Sequence, residues 1–136
     1  MAETKRVQLT WEHDLVFRGE GAGKAPITLD GDNVAGPGPM ENLLLALAAC
    51  SGSDVVVILK KKRAELRSLR VEVAGERREE IPERYTAIAI TYHIAAPGLA
   101  EAQARSTIEL SLEKYCSVAH SLAPDIAVRY ELALQA

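Results

Sequence analysis

A chain of 136 residues is near the commonest single-domain length and can hide roughly two-thirds of its unfolded surface, so it needs neither disulfides nor a metal merely to fold. Hydrophobic residues make up 48% of it but aromatic residues only 4%, so the expected core is aliphatic, built from Leu, Val, Ile and Ala. Sixteen basic against nineteen acidic residues leave a net charge of −3, too mild and mixed to draw a polyanion: no nucleic acid is expected as a partner, and one domain over residues 1–136 is the default.

The N-terminal MAETKRVQLTW lacks the long apolar stretch and small-residue cleavage site of a secretory signal, so a cytoplasmic protein is expected. Within residues 5–11, Val7, Leu9 and Trp11 alternate with Arg6, Gln8 and Thr10, the pattern of a half-buried strand. A turn at 12–14 leads to a strand at 15–18, and Gly19, Gly21 and Gly23 open a loop before a third strand at 26–30. Gly31, Gly36, Pro37, Gly38 and Pro39 cannot sustain regular structure, so 31–39 is a connection. Pro39 suits a first helical turn, Glu41 suits the positive end of the dipole, and a long helix is expected over 39–63.

Around that helix neither 43–47 nor 55–59 leaves a polar stripe, which predicts burial on nearly every side. Cys50, Ser51, Gly52, Ser53 and Asp54 interrupt the apolar run, and a carboxylate near a bilayer centre is costly, so no membrane span is expected. One chain of this size has few elements with which to cover such a helix, which implies a second copy. Lys60, Lys61, Lys62 and Arg63 read as a solvated helix end.

Strands follow at 66–76, with Leu69, Val71 and Val73 on one face, and at 84–95, where Ala87, Ala89 and Thr91 oppose Ile88, Ile90 and Tyr92. A helix over 99–115 presents Ala104, Ile108, Leu112 and Tyr115 on one face. Cys116 ends it, Ser117 is placed to cap a short helix to Ser121, and Pro124 precedes a last strand at 126–134. The order βββ-α-ββ-α-α-β is an α+β arrangement.

Small neighbours, Ala48, Ala49, Ser51 and Gly52, leave room around Cys50 for another backbone or a substrate; alone, a mid-helix Cys reads first as a small core hydrophobe, and it is the second cysteine that shifts the reading. Cys116 lies either at the amides of the short helix, which favour thiolate, or in the last turn of the longer one, where the dipole opposes it. The two are too far apart in sequence for a CxxC or zinc-knuckle motif, so the fold must create any pairing. Two thiols suit peroxide reduction: a thiolate takes the distal oxygen and becomes sulfenic acid, and a second thiol condenses with it to a disulfide. The thiolate needs a cation held by a carboxylate, for which Arg18 and Glu41 are the candidates.

The runs GPGPMENLLLALAACSGSDVVVILKKKR, LRVEVAGERREE and IELSLEKYCSVAHSLAPDIAVRYEL resemble the OsmC-like family, which includes the osmotically inducible protein C and organic hydroperoxide resistance proteins. The resemblance implies mainly antiparallel sheets wrapped around a long central helix in an intertwined homodimer with shared active sites. It implies Cys50 as the peroxide-attacking thiol, Cys116 as the resolving one, and a dithiol or dihydrolipoyl protein as reductant. No metal or bound organic cofactor is implied. The chain departs from the family pattern in having Met40 ten residues before Cys50, where the peroxidases have Glu; Glu41 is one residue later, about 100° around the helix. Ser117 and Val118 replace the Pro-Tyr that often follows the second Cys in the organic-peroxide branch.

Other readings of the same residues are a Cys-His hydrolase using His120, and a zinc site from Cys50, Cys116 and His120, which lacks a local ligand pair of usual spacing. His120 otherwise reads as a polar residue lining a pocket or capping the short helix, His13 as a turn residue and His93 as a strand-surface residue. The main alternative is a non-enzymatic dimer binding a small apolar ligand in its interfacial cleft.

Overall fold

A computed structural model describes residues 2–135, so the domain expected over 1–136 extends beyond the described residues by one at each end. Close packing divides the chain into two compact units, Met1–Leu43 and Leu44–Ala136.

In the first unit, β1 (Val7–His13), β2 (Val16–Gly21) and β3 (Ile27–Asp30) form an antiparallel meander in the order β1-β2-β3. The expected half-burial of the first strand is not met, since every residue of β1 is exposed, with Val7 at 84% and Trp11 at 64%. The alternation is there, but it is not accompanied by burial of either face of β1. Asp30 closes the unit from within: its carboxylate accepts from the amides of Asp32, Val34 and Ala35 at 2.8, 3.2 and 2.8 Å. The Ala35 and Asp32 amides hold it below the usual carboxylate range.

The long helix, α1 (Pro39–Lys61), begins in the first unit and runs into the second. Glu41 at its third position accepts from the Gly38 amide at 3.2 Å, the reciprocal half of a capping box. At the other end Arg63 takes φ 60°, and the amides of Arg63 and Ala64 reach back to the carbonyls of Lys60 and Leu59, a Schellman closure. Lys62 does more than solvate that end, because its Nζ donates to Thr107 Oγ1 at 3.0 Å and Ser106 Oγ at 3.2 Å.

The second unit carries a three-stranded sheet in the order β4 (Ser68–Arg77), β5 (Tyr85–Ala95), β6 (Ala127–Gln135), with β4/β5 antiparallel and β5/β6 parallel. The parallel pair is bridged by α2 (Glu101–Leu110), a π-helical segment (Ser111–Tyr115) and α3 (Ser117–Ser121). Alternation on β5 buries Ile88, Ile90, Tyr92 and Ile94, and α1 supplies the opposing stripe Leu47, Ser51, Gly52, Val55 and Leu59. A Cβ on Gly52 would make ordinary van der Waals contact with Val71 Cγ2 at 3.7 Å and Leu69 Cδ2 at 3.9 Å, which places this point of α1 over β4.

Burial of α1 on nearly every side is therefore not achieved within one chain. One stripe is covered, while Leu45 and Val57 stand 54% and 50% exposed. By length and composition α1 could cross a bilayer. Asp54 in its middle argues against that, since a carboxylate at bilayer centre costs about 2.5–3.5 kcal/mol even on insertion scales.

Candidate active site

The two cysteines come together. Cys50, midway along α1, is half-buried, and Cys116 is fully buried. Both are free thiols, near enough that Cys50 acts on Cys116 both through hydrogen bonding and through charge.

A departure from regular helix places Cys116. Its amide donates to the carbonyl of Ser111 at 2.7 Å, five residues back, where an α-helix would bond four back. The wide turn carries Cys116 into the core and leaves Tyr115 49% exposed. The ordinary helical period had put Tyr115 on the buried face; Leu112 is only half-buried, and Ala104, Thr107, Ile108 and Ser111 form the covered face instead. Cys116, rather than Ser117, caps α3, and its Sγ accepts from the Ala119 amide at 3.4 Å. Of the two positions open from the sequence, the sulfur thus occupies the one at the short helix. The expected thiolate does not follow, because burial pushes the Cys116 thiol up to about 11 against the Ala119 amide, and Cys50 and Asp54 act in the same direction as burial.

Beside the thiols runs a file of buried hydroxyls. Tyr92 Oη lies 2.6 Å from Ser51 Oγ, which lies 2.8 Å from Ser111 Oγ, which donates to Asp54 Oδ2 at 2.8 Å. A hydroxyl has one proton to give. Ser111 gives its own to Asp54, so Ser51 donates to Ser111 and Tyr92 donates to Ser51, and every bond in the file points toward the carboxylate. Burial pushes the Tyr92 phenol up to about 12, fixing it as a donor at neutral pH.

The other candidates have hydrogen-bond or ion-pair partners of their own. Arg18 on β2 pairs with Glu20 at 3.7 Å, and Glu41 is occupied at the Gly38 amide, both within the first unit. His120 is exposed; its Nε2 donates to the Glu113 carbonyl at 3.0 Å, and it lines a cleft of about 330 Å³ with Glu109, Leu112, Val128 and Tyr130. His13 is the last residue of β1, and His93 bonds Glu72 across the β4/β5 pair. Among the described residues no cluster of three or more His, Cys, Asp or Glu is arranged to hold a metal.

A family model described as OsmC-like protein matches residues 30–131. The chain belongs to the OsmC-like family. It is 38% identical over 130 residues to Protein YhfA of Escherichia coli, covering 93% of this chain and 97% of that one. A hypothetical protein from Aquifex aeolicus shares the fold with a TM-score of 0.86 and 33% identity, covering 99% of this chain and 100% of the other. The organic hydroperoxide resistance protein OhrB of Bacillus subtilis aligns with a TM-score of 0.63 at 16% identity, over 96% of this chain and 98% of its own, a likeness of fold. The arrangement of strands and helices is that of OsmC-like structures, as the sequence motifs implied.

Within this OsmC-like chain, sequence reasoning missed Ser51, Asp54, Tyr92 and Ser111. The signal was present: Ser51 sits four residues from both Leu47 and Val55 on the buried stripe, and Ser111 follows Ile108 by three. A hydroxyl on an apolar face must find a buried partner.

Proposed function

We propose that this protein is a thiol-dependent hydroperoxide reductase. The observation that carries the reading is the meeting of two reduced thiols from distant parts of the sequence, one half-buried and approachable, the other sealed and protonated. Cys50 as thiolate attacks the distal peroxide oxygen, giving Cys50 sulfenic acid and an alkoxide that leaves as the alcohol. Cys116 then attacks the Cys50 sulfur, the S–O bond breaks, water leaves, and a Cys50–Cys116 disulfide remains for a dithiol or dihydrolipoyl protein to reduce. Their contrasting exposure supports this division of roles.

Arg18 serves as the cation for the Cys50 thiolate, and Glu41 orients it. Exposed ion pairs are worth about 0–1 kcal/mol, so the 3.7 Å pairing of Arg18 with Glu20 is readily exchanged. The functional form is a homodimer, supported by the uncovered apolar residues of α1 and β1. The protein acts in the cytoplasm, where thiols are kept reduced. Residues 1–136 act as one domain, since the family match runs across both compact units.

The test is a thiol count on reduced protein before and after one equivalent of cumene hydroperoxide. Both thiols should be lost to an intramolecular disulfide; Cys50→Ser should abolish peroxide consumption, and Cys116→Ser should allow one oxidation and stall at sulfenic acid. Unchanged thiols, or equal turnover in both variants, would refute the reading. Unchanged thiols would favour a dimer that binds a small apolar ligand, for which an open cleft of about 470 Å³ lined by Val7, Leu9, Ile27 and Leu29 speaks.

A further inference from the structure

The hydroxyl file stands where disulfide closure must discharge a proton. Ser51, Ser111, Tyr92 and Cys116 are all fully buried, while Asp54, at the end of the file, is half-buried. A serine oxygen accepts two hydrogen bonds and donates one. Ser111 donates to Asp54 and accepts from Ser51, which leaves one acceptor position on its oxygen unused by that file. The π turn sets Cys116 one turn beyond Ser111, amide to carbonyl at 2.7 Å, and both side chains are fully buried. Asp54 is near enough to act electrostatically on both Cys116 and Tyr92.

Cys116 is a thiol when it begins to react, and its full burial keeps bulk water from taking the proton directly. We propose that Asp54, acting through Ser111, accepts the proton that Cys116 loses as its sulfur closes the disulfide with Cys50. Asp54 is thus a positioning residue for the second half of the chemistry proposed above, and the inference rests on that pairing of thiols. The Cys116 proton passes to the Ser111 oxygen while Ser111 passes its own to Asp54. The Cys116 sulfur bonds to the Cys50 sulfur, and the Cys50 S–O bond breaks. The departing hydroxide recovers a proton from the file and leaves as water. Cys50 sulfur gains the electrons that Cys116 sulfur gives up, so no further oxidant is required.

Closure can be followed without peroxide. Ellman's reagent, 5,5′-dithiobis(2-nitrobenzoate), should react first at half-buried Cys50, releasing one thionitrobenzoate; attack by Cys116 on that mixed disulfide then releases a second, read at 412 nm. Asp54→Asn keeps an acceptor oxygen for Ser111 but is a far weaker base. The first release should match the parent protein in Asp54→Asn and in Ser111→Ala. The second should slow roughly tenfold or more in both, and Asp54→Glu should restore most of the rate. Thermal melts confirm that each variant is folded. A second release at the parental rate in Asp54→Asn overturns the assignment. So does equal slowing of both releases, which marks a general loosening, and so does a parent that never gives the second release. Failure of the peroxide assay alongside an intact, Asp54-dependent second release would remove the peroxidase reading and leave this one standing.

Discussion

Replacing Ser51 by Ala removes one oxygen from a fully buried site and breaks two hydrogen bonds, to Tyr92 at 2.6 Å and to Ser111 at 2.8 Å. The Tyr92 hydroxyl, itself fully buried, then has no acceptor, a penalty of about 1–3 kcal/mol, and the bond to Ser111 forfeits about 1 kcal/mol more. Better helix propensity returns about 0.5 kcal/mol. The net expectation is a loss of about 1.5–3.5 kcal/mol, read by urea unfolding at fixed protein concentration. Adding Tyr92→Phe removes the orphaned hydroxyl as well, so the double variant should recover about 1 kcal/mol relative to the sum of the singles. Ser111 keeps Asp54 as acceptor throughout, which holds the rest of the file constant. A neutral Ser51→Ala, or costs that simply add, would mean that the file carries no coupling energy and that its apparent direction has no physical content.

Gly75→Ala should cost about 1–3 kcal/mol by urea unfolding, because the new Cβ would lie 2.5 Å from Cε1 and 2.7 Å from Cδ1 of the buried Tyr85 ring; a loss below about 0.5 kcal/mol would show that the ring yields freely. The carboxylate of Asp30 is held below its ordinary value of 3.8 by the Ala35 and Asp32 amides. A depressed folded-state value means a stabilising contribution that is complete above 3.8 and fades as pH falls below it. Asp30→Asn should therefore be less stable than the parent at pH 7, with the gap closing as the medium is acidified below that value, measured as paired melts across pH; a gap independent of pH would assign the effect to shape instead.

Much of the fold was legible because its determinants are local. The alternation of Ile88, Ile90 and Tyr92 on β5 follows directly from a pleat of period two, and Pro39 and Glu41 mark the start of α1 by the chemistry of unpaired amides. The parallel register of β6 on β5 was not legible, since it depends on the crossover through α2 rather than on either strand. Nor was the exposure of β1 and of half of α1, because a pattern of apolar residues says that a face is to be covered and not by what. For the site, the cysteines stood out by residue type alone. Ser51 and Ser111 did not, because a serine is informative only once its surroundings are known to be apolar, and Asp54 read as an interruption of the helix rather than the end of a hydrogen-bonded file.

The five-residue turn between Ser111 and Cys116 makes the location of a sulfur depend on how many residues precede it. Closed as an ordinary α-turn, the same stretch would bring position 115 to that wall, and a chain one residue shorter would need its thiol where Tyr115 stands. Comparing such chains by counting from the N-terminus would pair a cysteine with a tyrosine and miss the shared sulfur. Deleting a single residue between Ser111 and Cys116 should therefore close the segment as an ordinary α-turn and keep the sulfur at its place, whereas inserting one should carry it away from its partner without altering any group that reacts.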